Sequence, residues 1–240
     1  MWIQSLRTDI AHELSFGSPQ FELPAKAISL LDALYKVLAT EARPISPADL
    51  ISVGGQRYSD VSIRVNLPNG HVSVTPDKVT CELTALQSQV EFDAAIDNLR
   101  DVETTLVTVF PELTFKARRA IFAAWLECEG GMSAATQALA ILTPARNLAP
   151  SVFTKEGVVG KWRVSGNFID EAEKFHSRFD LEESFVTGTQ LFMRLDTTIA
   201  QTSEFFFLDK TRQKMGEQLA SILASIGAHA KTPDEAAPNQ

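Results

Sequence analysis

The residue pattern of Thr189–Gly227 changes partway along, and this change constrains the fold more than any other feature of the sequence. Up to Ile199, apolar and polar side chains alternate, and this alternation predicts a strand. From Leu208 the apolar side chains recur at helical spacing, which predicts an amphipathic helix that ends near Gly227. Because such a helix must cover its apolar face, its nearest support is the sheet to which the strand belongs. The sequence therefore predicts a helix packed on a sheet.

Both patterns recur along the rest of the chain. Helical spacing predicts helices over Ile3–Leu14, Pro24–Thr40, Ser88–Phe110, Ser133–Leu142 and Leu208–Ile226. Alternation and apolar runs predict strands over Val61–Leu67, Val72–Val74, Val79–Ala85, Phe115–Cys128, Trp162–Phe168 and Phe175–Phe185. Turn residues separate neighbouring strands, which indicates antiparallel hairpins with one solvated face.

We therefore expect an α+β protein with antiparallel sheets and long amphipathic helices packed on them. The order of elements also indicates two similar halves, each a strand hairpin followed by a helix, although no residue-level repeat is visible. We place an N-terminal α+β half at residues 1–145 and a C-terminal α+β half at residues 146–229, packed together as one unit. Residues 230–240 have the composition of a disordered tail.

Composition and charge restrict the class of protein further. The 240 residues are 45% hydrophobic, which is enough to bury a sizeable core. The formal net charge is -8, and a surface of that sign repels phosphate, so nucleic acid is an unfavourable partner. No apolar run approaches the length of about 20 residues that spans a bilayer, and no signal peptide is visible. We therefore expect a cytoplasmic protein of a bacterial or phage system that binds no membrane.

The sequence contains no motif of a known catalytic or metal site. It has no nucleophile elbow, no phosphate-binding loop and no zinc-protease motif. Cys81 and Cys128 lie far apart in apolar strands, which predicts two reduced core thiols and no metal site. His12 falls off the apolar stripe of the first predicted helix, so we expect a solvated side chain. We expect no metal, no cofactor and no enzymatic activity.

A polar cluster around His176 is a weak candidate for a site. Arg178 and Asp180 share its strand face, and Arg194 and Asp196 on a neighbouring strand are expected beside it. Such a cluster is able to hold an acid/base pair. A solvated sheet face carrying opposite charges is the favoured interpretation, because cross-strand ion pairs are common there.

Lys116, Arg118 and Arg119 form the most basic stretch of the chain. Alternation along the predicted strand directs Lys116 and Arg118 to one face and Arg119 to the other. Because the basic side chains are divided between two faces, they are less suited to form a nucleic-acid-binding patch. The favoured interpretation is a charged strand start with the long acidic helix nearby.

The aromatic triplet Phe205, Phe206 and Phe207 is the strongest candidate for a partner-binding site. It lies between a predicted strand and a predicted helix, where connections run over the surface. Three consecutive rings cannot share one face of a strand or helix, so we expect at least one to meet a partner or a second copy. The alternative is a loop that plugs the end of the sheet.

Three functions remain open at this point. A non-enzymatic interaction or assembly subunit, able to form a homo-oligomer, is favoured by the aromatic triplet and the missing catalytic motifs. A chaperone-like or antitoxin-like peptide binder would use the edges or grooves of the sheet. An enzyme or small-ligand binder would use the polar cluster near His176.

Overall fold

Nine antiparallel strands form one sheet in the computed structural model of the chain. These strands are β1 Trp2–Phe16, β2 Leu50–Val53, β3 Ser62–Leu67, β4 Gly70–Val74, β5 Lys78–Leu86, β6 Phe115–Cys128, β7 Arg163–Asp170, β8 Phe175–Glu183 and β9 Gln190–Ala200. A short strand, β10 His229–Ala230, pairs in parallel with β1. The α-helices among the described residues are α1 Leu23–Leu38, α2 Gln89–Val109 and α3 Phe207–Ser225. The structure describes residues 2–39, 44–54, 57–128, 163–171, 174–183, 190–200, 207–225 and 229–230.

The two longest strands lie side by side in the middle of the sheet. The order across the sheet is β2-β3-β4-β5-β1-β6-β9-β8-β7. The strands that follow β1 in the chain extend the sheet on one side, and those that follow β6 extend it on the other. The expected antiparallel α+β architecture is confirmed, as one continuous sheet rather than several.

The helix predicted over Ile3–Leu14 is wrong, because this segment is strand β1. The register of β1 with β6 shifts between Ser5 and Arg7, and this irregularity breaks the alternation of the sequence. Further along, Thr8 and His12 are polar yet buried on the same face as the apolar residues. Because of the bulge and the buried polar residues, the sequence of β1 does not show the alternation of apolar and polar residues that is typical of a strand.

The remaining predicted elements that fall within the described residues are confirmed, with ends that shift by a few residues. α2 begins at Gln89 because the Ser88 hydroxyl accepts a hydrogen bond from the Glu91 amide at 3.2 Å, which caps the helix. Long amphipathic helices packed on the sheet are not supported as a description of the fold, because strands contain more of the described residues than the three described helices do. The predicted helix Ser133–Leu142 lies outside the described residues.

One face of the sheet, the inner face, carries the core. Its side chains come from alternate strand positions and are almost fully buried: Leu14, Ile63, Val65, Val72, Val79, Cys81, Leu83, Leu181, Leu191, Met193 and Leu195. In the N-terminal part, α1 and α2 cover this face with Leu30, Leu34, Leu99 and Leu106, which belong to the same core. In the C-terminal part, α3 contacts β9, and Ile222 and Leu223 are buried. Residues of the opposite face, which we call the open face, keep much more of their exposure.

Among the helices that the structure describes, none is both long and apolar enough to cross a membrane.

Candidate functional site

The register of five neighbouring strands arranges the open-face residues in four straight rows. Read from β7 through β8, β9 and β6 to β1, the rows are Arg163, Glu182, Phe192, Trp125, Arg7; Ser165, Asp180, Arg194, Ala123, Asp9; Asn167, Arg178, Asp196, Ile121, Ala11; and Ile169, His176, Thr198, Arg119, Glu13. We call this set the open-face lattice. Adjacent strands are about 4.8 Å apart and adjacent rows about 7 Å apart, so the lattice measures roughly 20 Å by 20 Å.

The lattice contains all five residues of the predicted polar cluster. Arg178 lies opposite Asp196, and Asp180 lies opposite Arg194 across the β8–β9 pair. His176 lies opposite Thr198, at the edge of the cluster, and its side chain is exposed. The structure thus brings the charged members together in alternating sign and leaves His176 beside them.

Asp196 is held by two arginines from neighbouring positions. The Arg119 guanidinium donates to both carboxylate oxygens, with Nε–Oδ1 at 2.9 Å and Nη2–Oδ2 at 2.7 Å. Arg194 Nη2 approaches Oδ2 at 3.3 Å. The hydrogen bonds from Arg119 lower the pKa of Asp196, although its partial burial acts in the opposite direction. Asp196 is therefore a fixed anion of the lattice.

Asp180 occupies the equivalent place between β7 and β9. Arg163 Nη2 lies 3.0 Å from Oδ2, Arg178 Nη2 donates to Oδ1 at 3.3 Å, and the Ser165 hydroxyl also donates to Oδ1. Burial alone would raise the pKa of Asp180, but the hydrogen bonds from Ser165 and Arg163 outweigh burial and lower it. Arg163 additionally approaches Glu182 at 3.8 Å. Asp180 and Asp196 are thus ionised and paired.

An aromatic stack occupies the first row. The rings of Trp125 and Phe192 have centroids 5.0 Å apart and an interplanar angle of 58°. The Arg7 guanidinium lies over the Trp125 ring, 4.7 Å from its centroid, and also donates to Asp9 at 3.0 and 3.1 Å. Trp125 and Phe192 are half-buried, so they present apolar surface within a charged face. Sequence reasoning missed this stack, because the pairing of β6 with β9 and β1 joins distant segments.

A second polar group lies on the inner face, beneath α2. Arg118 donates to Glu103 through Nη1–Oε1 at 2.6 Å and Nη2–Oε2 at 2.8 Å, with side chains only 2% and 5% exposed. His12 Nδ1 lies 3.9 Å from Glu103 Oε1. The opposite orientations predicted for Arg118 and Arg119 are confirmed. Glu103 on α2 turns inward to the arginine.

His12 is buried, and the expectation of a solvated side chain is wrong. It belongs to a strand rather than a helix, and its strand position directs it to the inner face. Burial and the nearby Arg118 charge lower the pKa of His12 to about 3. His12 lies opposite Cys81 in the register of β1 with β5. Burial, with a smaller effect of Glu82, raises the pKa of the Cys81 thiol to about 12. At neutral pH, His12 is therefore a neutral imidazole and Cys81 a protonated thiol.

Both cysteines should react slowly with a thiol reagent in the native protein. Cys81 and Cys128 are free and buried, and burial raises the pKa of each thiol. Because the thiolate is the reactive form, labelling requires opening of the sheet. The measurement is absorbance after addition of an aromatic disulfide reagent, with and without denaturant. Fast labelling of both thiols in native buffer would contradict the buried positions.

The other predicted site residues fall in different places. Phe205 and Phe206 lie outside the described residues, and Phe207 is the first residue of α3. Lys116 lies near the start of β6 and is exposed. Within the described ranges, no cluster of histidine, cysteine and acidic side chains has the grouping of a metal site.

No protein-family model and no curated protein sequence matches the chain.

Proposed function

We propose that this chain is a non-enzymatic interaction or assembly subunit of a cytoplasmic bacterial or phage system, and that it binds a protein partner through the open-face lattice. The observation that carries the proposal is the half-exposed stack of Arg7, Trp125 and Phe192 within a broad sheet face. Tryptophan and arginine are the residues most enriched at the energetic centres of protein interfaces. The paired charges around the stack have the character of an interface rim.

The acid/base alternative near His176 has less support. Asp180 and Asp196 are bound to arginines, and their pKa values are lowered. A general acid or base works best with a pKa near the operating pH, and these carboxylates are shifted away from it. The charges therefore fit a positioning and recognition role better than proton transfer.

A chaperone-like or antitoxin-like peptide binder remains the second candidate, favoured by the ends of the sheet. β7 and β2 are the terminal strands of the sheet among the described residues. Ile169 on β7 is 69% exposed, and Ile51 and Val53 on β2 are 36% and 47% exposed. A terminal strand is able to pair with an extended peptide, and exposed apolar side chains beside it give the peptide contacts.

The sheet order supports the proposal of two similar halves. The strand order going outward from the centre is the same on both sides: β1, β5, β4, β3 on one side and β6, β9, β8, β7 on the other. The matching strands β5 and β9 are each followed by a helix, α2 and α3. The pair Ile10–Leu83 in the first half corresponds to the pair Phe122–Leu195 in the second half. The number of residues from Ile10 to Phe122 along the chain equals the number from Leu83 to Leu195. We propose that the boundary between the halves lies between α2 and β6, earlier than residue 146. The pairing of β1 with β6 then has the form of an isologous interface.

Trp125→Ala should weaken binding of the physiological partner by about tenfold or more, as expected for a central tryptophan. The immobilised chain is exposed to an extract of its source cells, and captured proteins are compared between wild type and variant. Ser73→Ala, on the open face of β4 but outside the lattice, is the matched control. Arg7→Gln removes the cation and keeps both rings, so it tests the stack without a cavity.

Retention of every captured protein by a folded Trp125→Ala variant would refute the proposal. Circular dichroism and thermal unfolding of both variants show whether the fold is kept. A similar comparison with Phe206→Ser tests the aromatic triplet as a separate contact for a partner or a second copy.

A further inference from the structure

We propose that the open-face lattice binds an extended acidic segment of the partner, a chemistry that deepens the proposed function and rests on it. Four observations carry this inference: the exposure of the lattice arginines, their spacing, their free donor capacity and the covering of the aromatic rings.

The arginines of the lattice form its outermost layer. The side chains of Arg163, Arg178, Arg194 and Arg119 are 53%, 54%, 42% and 45% exposed. The carboxylates to which they bind are less exposed: Asp180 is 10%, Asp196 is 20% and Glu182 is 21% exposed. Over the whole lattice five arginines balance five carboxylates, and the same order of exposure holds on β1, where Arg7 is 46% exposed and Asp9 and Glu13 are 23% and 29% exposed. An approaching partner therefore meets guanidinium groups first, on a chain whose net charge is -8.

The spacing of these arginines matches an extended peptide. Their guanidinium groups form two pairs. Arg163 and Arg178 both bind Asp180, and Arg119 and Arg194 both bind Asp196. Rows are separated by two strand residues, which is about 7 Å. Side chains at alternate positions of an extended peptide have the same separation. Asp180 and Asp196 lie in neighbouring rows. A segment with acidic residues at alternate positions, lying along the strands, therefore places one carboxylate near each pair of arginines.

The guanidinium groups retain the capacity to bind a second carboxylate. Arg119 uses Nε and Nη2 in its contacts with Asp196, whereas a guanidinium has five N–H donors. Arg178 and Arg194 contact their aspartates through Nη2. A carboxylate from a partner then forms charge-assisted hydrogen bonds with donors that the lattice already holds in place. The pairing within the lattice orders the arginines before the partner arrives, which reduces the entropic cost of binding.

The aromatic stack favours a peptide over a nucleic acid. Single-stranded nucleic acid binds by stacking bases on open aromatic rings. Here Arg7 covers one face of Trp125, and Phe192 packs against the same ring. The lattice area of roughly 400 Å² is about half of what each partner buries in a standard interface, which fits a segment better than a globular domain.

The test uses fluorescence anisotropy with labelled probes about ten residues long, a length that spans the lattice. The acidic probe alternates glutamate and threonine, its neutral match alternates glutamine and threonine, and an oligothymidylate of similar length represents nucleic acid. We expect the acidic probe to bind at least tenfold more tightly than the neutral probe, and binding to weaken between about 50 and 300 mM NaCl. Arg178→Gln should weaken binding about fivefold or more.

Arg64→Gln is the matched control, because Arg64 is an open-face arginine on β3, outside the lattice. Equal weakening by both variants, tighter binding of oligothymidylate, or no preference for the acidic probe would each overturn the inference. If the acidic probe does not bind while Trp125→Ala still loses the partner, only the inference of an acidic segment is wrong. If the acidic probe binds while Trp125→Ala keeps every partner, the proposed function is wrong.

Discussion

Glu103→Ala should lower the free energy of unfolding by about 3–5 kcal/mol, because it leaves Arg118 as a buried charge without its carboxylate. Arg118 and Glu103 are joined by two hydrogen bonds of 2.6 and 2.8 Å between the sheet and α2. Their side chains are only 2% and 5% exposed, so water does not replace the lost partner. The measurement is urea unfolding at pH 7, followed by circular dichroism.

Two further variants separate the lost pair from a general effect of changing the helix. Asp97→Ala breaks an exposed ion pair with Arg100, whose side chains are 68% and 46% exposed, and should cost less than about 1 kcal/mol. The double variant Glu103→Leu with Arg118→Met removes both charges and should cost much less than Glu103→Ala alone. A loss below about 1 kcal/mol for Glu103→Ala would show that the pair is not buried.

The free energy of unfolding should also fall by about 2 kcal/mol between pH 7 and pH 5 because of His12. Its pKa is about 3 in the folded chain, against the ordinary histidine value of 6.5 that applies to the unfolded chain. Between these values the unfolded chain binds a proton that the folded chain does not, so stability rises with pH and is lost as pH falls below 6.5. The loss continues towards pH 3, where the folded chain is protonated as well.

A histidine comparison identifies the source of this pH dependence. His12→Gln should remove most of the decrease between pH 7 and pH 5, measured by urea unfolding at each pH. His71→Gln is the control, because His71 is only partly buried, although burial and Arg64 lower its pKa too. If the wild type and His12→Gln lose the same stability on acidification, His12 is accessible to protons in the folded chain.

The local periodicity of the sequence was sufficient to predict most strands and helices. It failed in β1, where tertiary contacts bury polar residues. In β1, Ile10 and Leu14 satisfy helical and strand spacing equally well. The residues that would decide between them, Thr8 and His12, are polar and therefore appear solvent-facing in the sequence. Both are buried, and for His12 the neighbouring Glu103 and Arg118 provide a polar environment on the inner face. No local pattern contains that information.

The open-face lattice shows the same division between local and distant information. Arg178, Asp180, Arg194 and Asp196 were found from the sequence because β8 and β9 are consecutive strands, which usually pair. Arg119, Trp125 and Arg7 were missed because β9 pairs with β6 and β6 with β1, and both pairings join segments far apart in the chain. The aromatic triplet Phe205–Phe207 stays a prediction.

The most direct test of the binding face is site-specific photocrosslinking. A benzophenone amino acid replaces Phe192 in the lattice or, as a control, Val90, which is 78% exposed at the start of α2. After illumination in cells of the source, we expect a covalent adduct of higher mass from position 192 that is absent from position 90. An adduct from position 90 with none from position 192 would contradict the open-face lattice as the binding surface.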